Sequence, residues 1–359
     1  MGTTTVRVGV PLTGGRLVSA ARQRHYPVLF SANAFARTYP KGHARAGYFK
    51  KFALPDPAQF EGLDAALDSA GFVAAARYGD YRWSVAEYFD LVQSHPWAWY
   101  ASMDYCCEAQ VAGDRPLRLL RIAATAQLLA QCAAEARERG LPQPMPVLQG
   151  WTPSEYALCA QWLPLREWPD LVGLGSVCRR DINGQDGILA ILEAVDATLP
   201  RHVRLHLFGC KSAALQVLAS HPRVASVDSM AWDVQARVER RTGRDMDFRI
   251  GHMAAWTTKQ QAMAEADLGL TGVQSMLFDP TECGALSNLD EMVLEALALQ
   301  YADLLMGGEL DYRDAVYHCH HDGVVALAKV RIYGLTANTI SDFDEMLDGF
   351  GQRLTSLLA

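Results

Sequence analysis

Between Met145 and Asp228 the chain alternates short apolar runs with longer amphipathic stretches, and this rhythm narrows the fold more than any other feature. Met145 to Gln149 is predicted as a strand and Ser154 to Leu163 as a helix. Leu171 to Leu174 and Gly187 to Leu199 repeat the pair, then Arg204 to Phe208 and Ala213 to Ser220, before a strand that ends at Asp228. Strands alternating with helices of roughly ten to fifteen residues make parallel βαβ units, because a parallel neighbour is reached only through a crossover. No G-x-G-x-x-G follows the first strand, so a dinucleotide fold lacks its usual fingerprint. Polar residues recur at strand ends, where a (β/α)8 barrel collects its functional side chains. The expectation is one α/β TIM-like barrel over residues 1–359, with inserted segments and strand ends spread over 27–237. A mainly helical C-terminal part follows, over 285–359.

Upstream, Thr4 to Val10 reads as an opening strand or hairpin, and Pro27 to Phe30 as a strand breaking into the loop Ser31 to Phe35. Pro57 to Ala70 is predicted helical and Trp97 to Asp104 a strand. Pro116 to Arg139 reads as a long helix closed by Gly140. Composition sets the class only broadly: half of the 359 residues are hydrophobic and a fifth charged, as in globular enzymes. The net charge of -7 argues against a generally basic nucleic-acid coat but not against a local basic patch. No apolar run reaches the roughly 18 residues that span a bilayer, so no membrane partner is expected. Met1 to Thr5 has neither the basic nor the apolar region of a secretory leader. Eight cysteines follow no regular framework, so reduced thiols in a cytoplasm are the expectation.

In order, the strand-end residues are Ser31 to Phe35, Asp104 and Cys106, Gln149 and Gly150, Gly173 to Ser176, Phe208 and Gly209, and Asp228. This set suits a flat purine. A carboxylate accepts from two N–H groups on one edge, an amide gives and takes, glycines admit close backbone contacts, and aromatics cover the faces. A second carboxylate stays free for nucleophilic attack. Plainer roles remain open for each: Asp228 as a capping aspartate, Cys106 as a small buried hydrophobe, Gly173 and Gly175 as packing glycines. Trp97, Trp99 and Tyr100 read as core, and Arg237, Arg240, Arg241 and Arg244 as either a solvated face or phosphate contacts.

Taken together, these segments resemble the tRNA-guanine transglycosylase superfamily, which exchanges guanine for a 7-deazaguanine. Met103 to Cys106 is similar to its base-recognition segment, Val147 to Gly150 to its V-Q-G strand end, and Gly173 to Val177 to its glycine-rich segment. Leu207 to Gly209 is similar to its L-M-G segment. Asp228 to Trp232, with Arg237 beyond, is similar to the archaeal-type nucleophile segment. The resemblance implies that Asp228 attacks C1′ of a guanosine and holds the sugar as an ester until a 7-deazaguanine displaces it. It implies that Asp104 fixes the base edge, with Gln149, Gly150, Gly175, Ser176, Cys106 and Gly209 around it and Phe35 and Phe208 on its faces. No cofactor is implied.

Two departures from the family pattern stand out. The family's D-S-G-G-F/Y, whose leading Asp moves the proton, is matched here to Ser31 to Phe35, which puts a serine at the proton-transfer position. The C-x-C-x-x-C zinc motif is absent, so no zinc subdomain and no metal are expected. His318-Cys319-His320-His321 are adjacent and cannot all face one ion from regular structure. These departures favour the superfamily's DNA-modifying branch over the tRNA branch, with nucleic acid and a 7-deazaguanine such as preQ0 as partners. A tRNA enzyme, a non-catalytic binder of modified base or nucleic acid, and an unrelated barrel hydrolase are the alternatives. Helper proteins and a homodimer stay open.

Overall fold

The structure, a computed structural model, describes residues 4–239, 245–265 and 289–333. Its strands are β1 (Thr5–Gly9), β2 (Val28–Ser31), β3 (Ala36–Thr38), β4 (Phe49–Phe52), β5 (Ala65–Asp68), β6 (Val147–Leu148), β7 (Leu171–Leu174), β8 (Arg204–Leu207) and β9 (Val224–Ser229). Seven of them form one parallel sheet in the order β5-β2-β1-β9-β8-β7-β6, which curls into a half-barrel. β1 pairs in parallel with both β2 and β9, so the chain opens with a strand and not a hairpin. Short runs such as Val28-Leu29-Phe30 and Leu205-His206-Leu207 are buried throughout, as in parallel strands covered on both faces. The helix Ala231–Glu239 is tied back to β1 by Trp232, whose Nε1–H donates to the Gly9 carbonyl at 3.0 Å.

The connecting helices fall where the sequence pattern sets them, at Pro153–Trp162, Ile188–Thr198 and Ser212–Leu218. Thr152 starts the first with a reciprocal capping box to Glu155 and Pro153 at the first helical position. The expected helix over Pro57 to Ala70 is corrected: only Pro57–Phe60 is helical, capped by Asp56, and Ala65–Asp68 is the strand β5. Ala and Leu favour helix, but the run 65–67 is too short to show a period. Pairing with β2, from Val28 opposite Ala65 to Ser31 opposite Asp68, decides it.

The eight regular strands of a complete barrel are not all present as strands among the described residues. Between β5 and β6 lies the irregular segment 98–102. The N–H groups of Ala98 and Ala101 donate to the carbonyls of Ala65 and Leu67, and Leu67 donates to Trp99. On its other side Ser102 donates to Met145, and Met145 donates to Tyr100.

By its internal contacts the chain divides into two units. One, Met1–Gly113 with Arg121–Val273, holds the sheet. The other, Asp114–Leu120 with Gln274–Ala359, is described over the helices Leu289–Met306 and Tyr312–Tyr333. In this helical hairpin Tyr301 donates to Asp322 at 2.7 Å, and Gly323 lets the Leu294 side chain approach closely. Cys319 is buried while His318, His320 and His321 are exposed, so the four side chains fan around one helix. No group of three or more His, Cys, Asp or Glu is placed to hold a metal among the described residues. No described helix is long and apolar enough to cross a membrane.

Candidate active site

The C-terminal ends of the parallel strands gather the polar residues. Asp68 and Ser31 end β5 and β2 opposite each other, Asp228 lies one residue from the end of β9, and Gln149, Gly175 and Phe208 directly follow β6, β7 and β8. Asp104 follows the 98–102 segment. It is buried at 5 % exposure, and its carboxylate accepts from Ser69 Oγ at 2.8 Å and from Gln149 Nε2 at 2.5 Å. Gln149 turns its other end to Ser176, whose Oγ donates to Oε1 at 2.5 Å and accepts from the Cys107 amide at 2.7 Å. Ser176 sits at a φ of 57°, a region that residues other than glycine rarely adopt, and those two bonds hold it there.

Two glycines make room for this network. A Cβ on Gly175 would lie 2.2 Å from Gln149 Nε2, and one on Gly71 would lie 2.5 Å from the Asp104 carbonyl and 2.7 Å from its carboxylate. Arg180, absent from the expected set, ties the glycine segments together. It donates to the carbonyls of Gly150 and Ser176, and its guanidinium lies 3.8 Å from the Trp151 ring. Tyr156 holds Gly175 through a hydrogen bond to its carbonyl at 2.7 Å.

Asp228 has one hydrogen-bond donor and one imidazole close by without an aligned hydrogen bond. The Gly209 amide donates to Oδ1 at 2.8 Å, and His206 Nε2 lies 3.4 Å from the same oxygen. His206 is fully buried, bonded through Nδ1 to Ser226 Oγ at 2.7 Å and packed between Trp99 and Phe208. Burial lowers its pKa against the opposing pull of Asp228, which favours the neutral ring.

The largest departure from expectation is Asp68. Ringed by protein though keeping some access to solvent, its carboxyl is pushed up to about 7 by burial and by the charges of Asp104 and Asp228. Ser31 favours its charged form from across the strand pair, but Ser31 Oγ is buried without a well-aligned hydrogen bond. Burial also pushes Asp104 up to about 6, against the hydrogen bonds from Ser69 and Gln149. Asp68 therefore stands opposite Ser31 as a second candidate for the proton-transfer position. Asp68-Ser69-Ala70-Gly71-Phe72 follows the D-S-G-G-F pattern in all but one residue and ends a strand of the same sheet. The run begins inside the stretch Pro57 to Ala70 that the sequence pattern reads as helix.

Other expected residues fall variously. Phe35 is fully buried against Phe30, Phe60 and Trp97, whereas Phe72 is 41 % exposed. Phe208 is half-buried beside Trp99. Cys106 is buried and its thiol is pushed up to about 12 by that burial, so it stays a neutral thiol. Arg237 pairs with the buried Asp233 at 3.0 Å, which also holds Arg249. Arg240, Arg241 and Arg244 lie outside the described residues.

A parallel α/β fold with carboxylates converging at the strand ends defines the class. A family model described as "DpdA: DeoxyPurine in DNA protein A" matches residues 52–246, and the chain belongs to that family. Membership carries a DNA-modifying, 7-deazaguanine transglycosylase-like function at the family level. A search of curated proteins finds no match to the chain.

Proposed function

We propose that the chain exchanges guanine in DNA for a 7-deazaguanine of the preQ0 type, through a covalent bond between Asp228 and the sugar. One observation carries the reading: three carboxylates lie at the ends of neighbouring segments of the sheet, close enough that the charges of Asp104 and Asp228, with burial, push Asp68 up to about 7. A carboxyl poised there gives and takes protons near neutrality. The Asp228 carboxylate attacks C1′ as the C1′–N9 bond breaks, and guanine leaves with the bonding pair and the proton of Asp68. The incoming base returns its N9 proton to Asp68, bonds to C1′ and releases Asp228, so protons balance over the cycle. Asp104, Gln149, Gly175 and Ser176 hold the base edge, with Phe208 and Phe72 on its faces. The target nucleotide must leave its stack to reach them. The hydrogen bonds of 98–102 to both neighbours support reading that segment as the remaining stave of a closed eight-membered barrel. With Asp68 in the proton-transfer role, the absence that motivated a non-catalytic binder is gone.

The test is incorporation of labelled guanine, and separately of labelled 7-cyano-7-deazaguanine, into duplex DNA and into tRNA, with Asp228→Ala alongside. Label in DNA but not tRNA, together with a protein–DNA adduct on denaturing gels that the variant lacks, is the expected result. Label in tRNA alone, or release of guanine without replacement, refutes it.

A further inference from the structure

β3 and β4 have no place in the sheet. They form a separate antiparallel arm that leaves the barrel-facing strands directly after β2 and Phe35. The arm carries Arg37, Lys41, Arg45, Lys50 and Lys51 and no Asp or Glu. The first acidic residue of the whole chain is Asp56: the first 55 residues hold nine Lys and Arg, in a chain whose 33 basic residues are outnumbered by 40 acidic ones. All five cations are exposed, and none of them pairs with a carboxylate among the described residues. Aromatic rings lie among them. Tyr39 stacks on His43 with centroids 4.4 Å apart and has Arg45 and Lys50 at 5.2 and 5.7 Å, and Tyr48 is 65 % exposed.

The other side of the arm is anchored to the candidate active site. Phe49 and Phe52 are buried against Trp83, Trp83 packs on Tyr81, and the Tyr81 hydroxyl bonds to Ser69 and to the Asp104 backbone. Arg82 donates to the Gly47 carbonyl at 2.8 Å and lies 3.7 Å from the Tyr78 ring, and Tyr78 in turn bonds Asn33. A positive arm is thus fastened by its apolar face to the elements that hold Asp104. All of it but Phe52 precedes the residues matched to the family, which begin at 52.

We propose that this arm grips the sugar–phosphate backbone of duplex DNA beside the strand-end site. The inference rests on the DNA reading above and deepens it. Unpaired, solvent-facing cations bind phosphates by releasing condensed counterions, and exposed aromatic rings offer platforms for a base displaced from its stack.

The experiment is fluorescence anisotropy of the full chain with labelled duplex DNA between 50 and 200 mM salt. Lys41→Gln/Arg45→Gln/Lys50→Gln/Lys51→Gln should lower the slope of log affinity against log salt by about three, and weaken binding roughly ten- to hundred-fold near physiological salt. Lys41→Glu/Lys51→Glu, which leaves the Tyr39 stack untouched, should move in the same direction, and Lys41→Arg/Lys50→Arg/Lys51→Arg should keep wild-type binding. Arg166→Gln/Arg201→Gln, on the exposed turns ahead of β7 and β8, is the control and should change the slope little. Wild-type affinity and slope in both arm variants would overturn the inference while leaving the DNA reading intact. A wild type that binds tRNA and no duplex DNA, or that binds neither, would overturn both.

Discussion

Asp68→Asn removes a carboxyl that burial and two neighbouring charges have moved from the ordinary 3.8 to about 7. The folded state therefore binds this proton more tightly than the unfolded state. Below about pH 4 both states are protonated and the group has no effect on stability. Between about pH 4 and 7 the wild type loses stability as pH rises, by about 1.4 kcal/mol per pH unit, and above pH 7 the loss levels off. Fully developed it amounts to about 4 kcal/mol, an upper value because Asp68 keeps some access to solvent. Asparagine keeps the shape and an acceptor oxygen but never ionises. Urea unfolding at pH 4.5, 6, 7 and 8 should show the variant gaining on the wild type up to about pH 7 and little beyond, while base exchange falls by roughly 10²- to 10⁴-fold for want of a proton carrier. A stability difference that is flat with pH, or a variant less stable than wild type at pH 8, would refute the reasoning.

Gly175→Ala places a methyl where the Gln149 amide now lies, so that amide must leave either Asp104 or Ser176. Exchange should drop at least about tenfold with a raised KM for the incoming base, at a stability cost of roughly 1–3 kcal/mol read by urea unfolding. An unchanged KM would argue against Gln149 as a base contact. Phe35→Ala and Phe72→Ala should separate: the first empties a closed aromatic core and costs roughly 3–5 kcal/mol, and the second leaves the unfolding midpoint near wild type while raising KM. Equal stability losses in the two would mean that Phe72 is a packing residue.

Helices with local start signals were legible in sequence. The Thr152 to Glu155 capping box lies within four residues, and the chain between Met145 and Asp228 repeats its strand and helix pattern often enough to be read without tertiary knowledge. The candidate site was legible in part because strand ends are local features, so Asp104, Gln149, Gly175 and Asp228 could be picked from their positions in the pattern. Asp68 was missed for the opposite reason. Its strand is four residues long and rich in Ala and Leu, and only pairing with β2 makes it a strand. His206 and Arg180 carry no motif. Their roles come from hydrogen bonds to partners 20 and 30 residues away.

What the sequence determined by itself is the kind of chain this is: parallel βα units, which follow from hydrophobic period and caps, and carboxylates and glycines placed at the ends of strands. It also held two features plain to see, the D-S-A-G-F run at Asp68 and the absence of any acid before Asp56. Tertiary structure alone decided which carboxyls share one field, since the rise of Asp68 to about 7 needs burial and the charges of residues 36 and 160 positions away. It decided too that Phe35 is core and Phe72 is not, because burial depends on what packs around a ring and not on the residues beside it in the chain. Local order is set by neighbours within a few residues; the field at a carboxyl is set by whichever distant segments the fold brings against it.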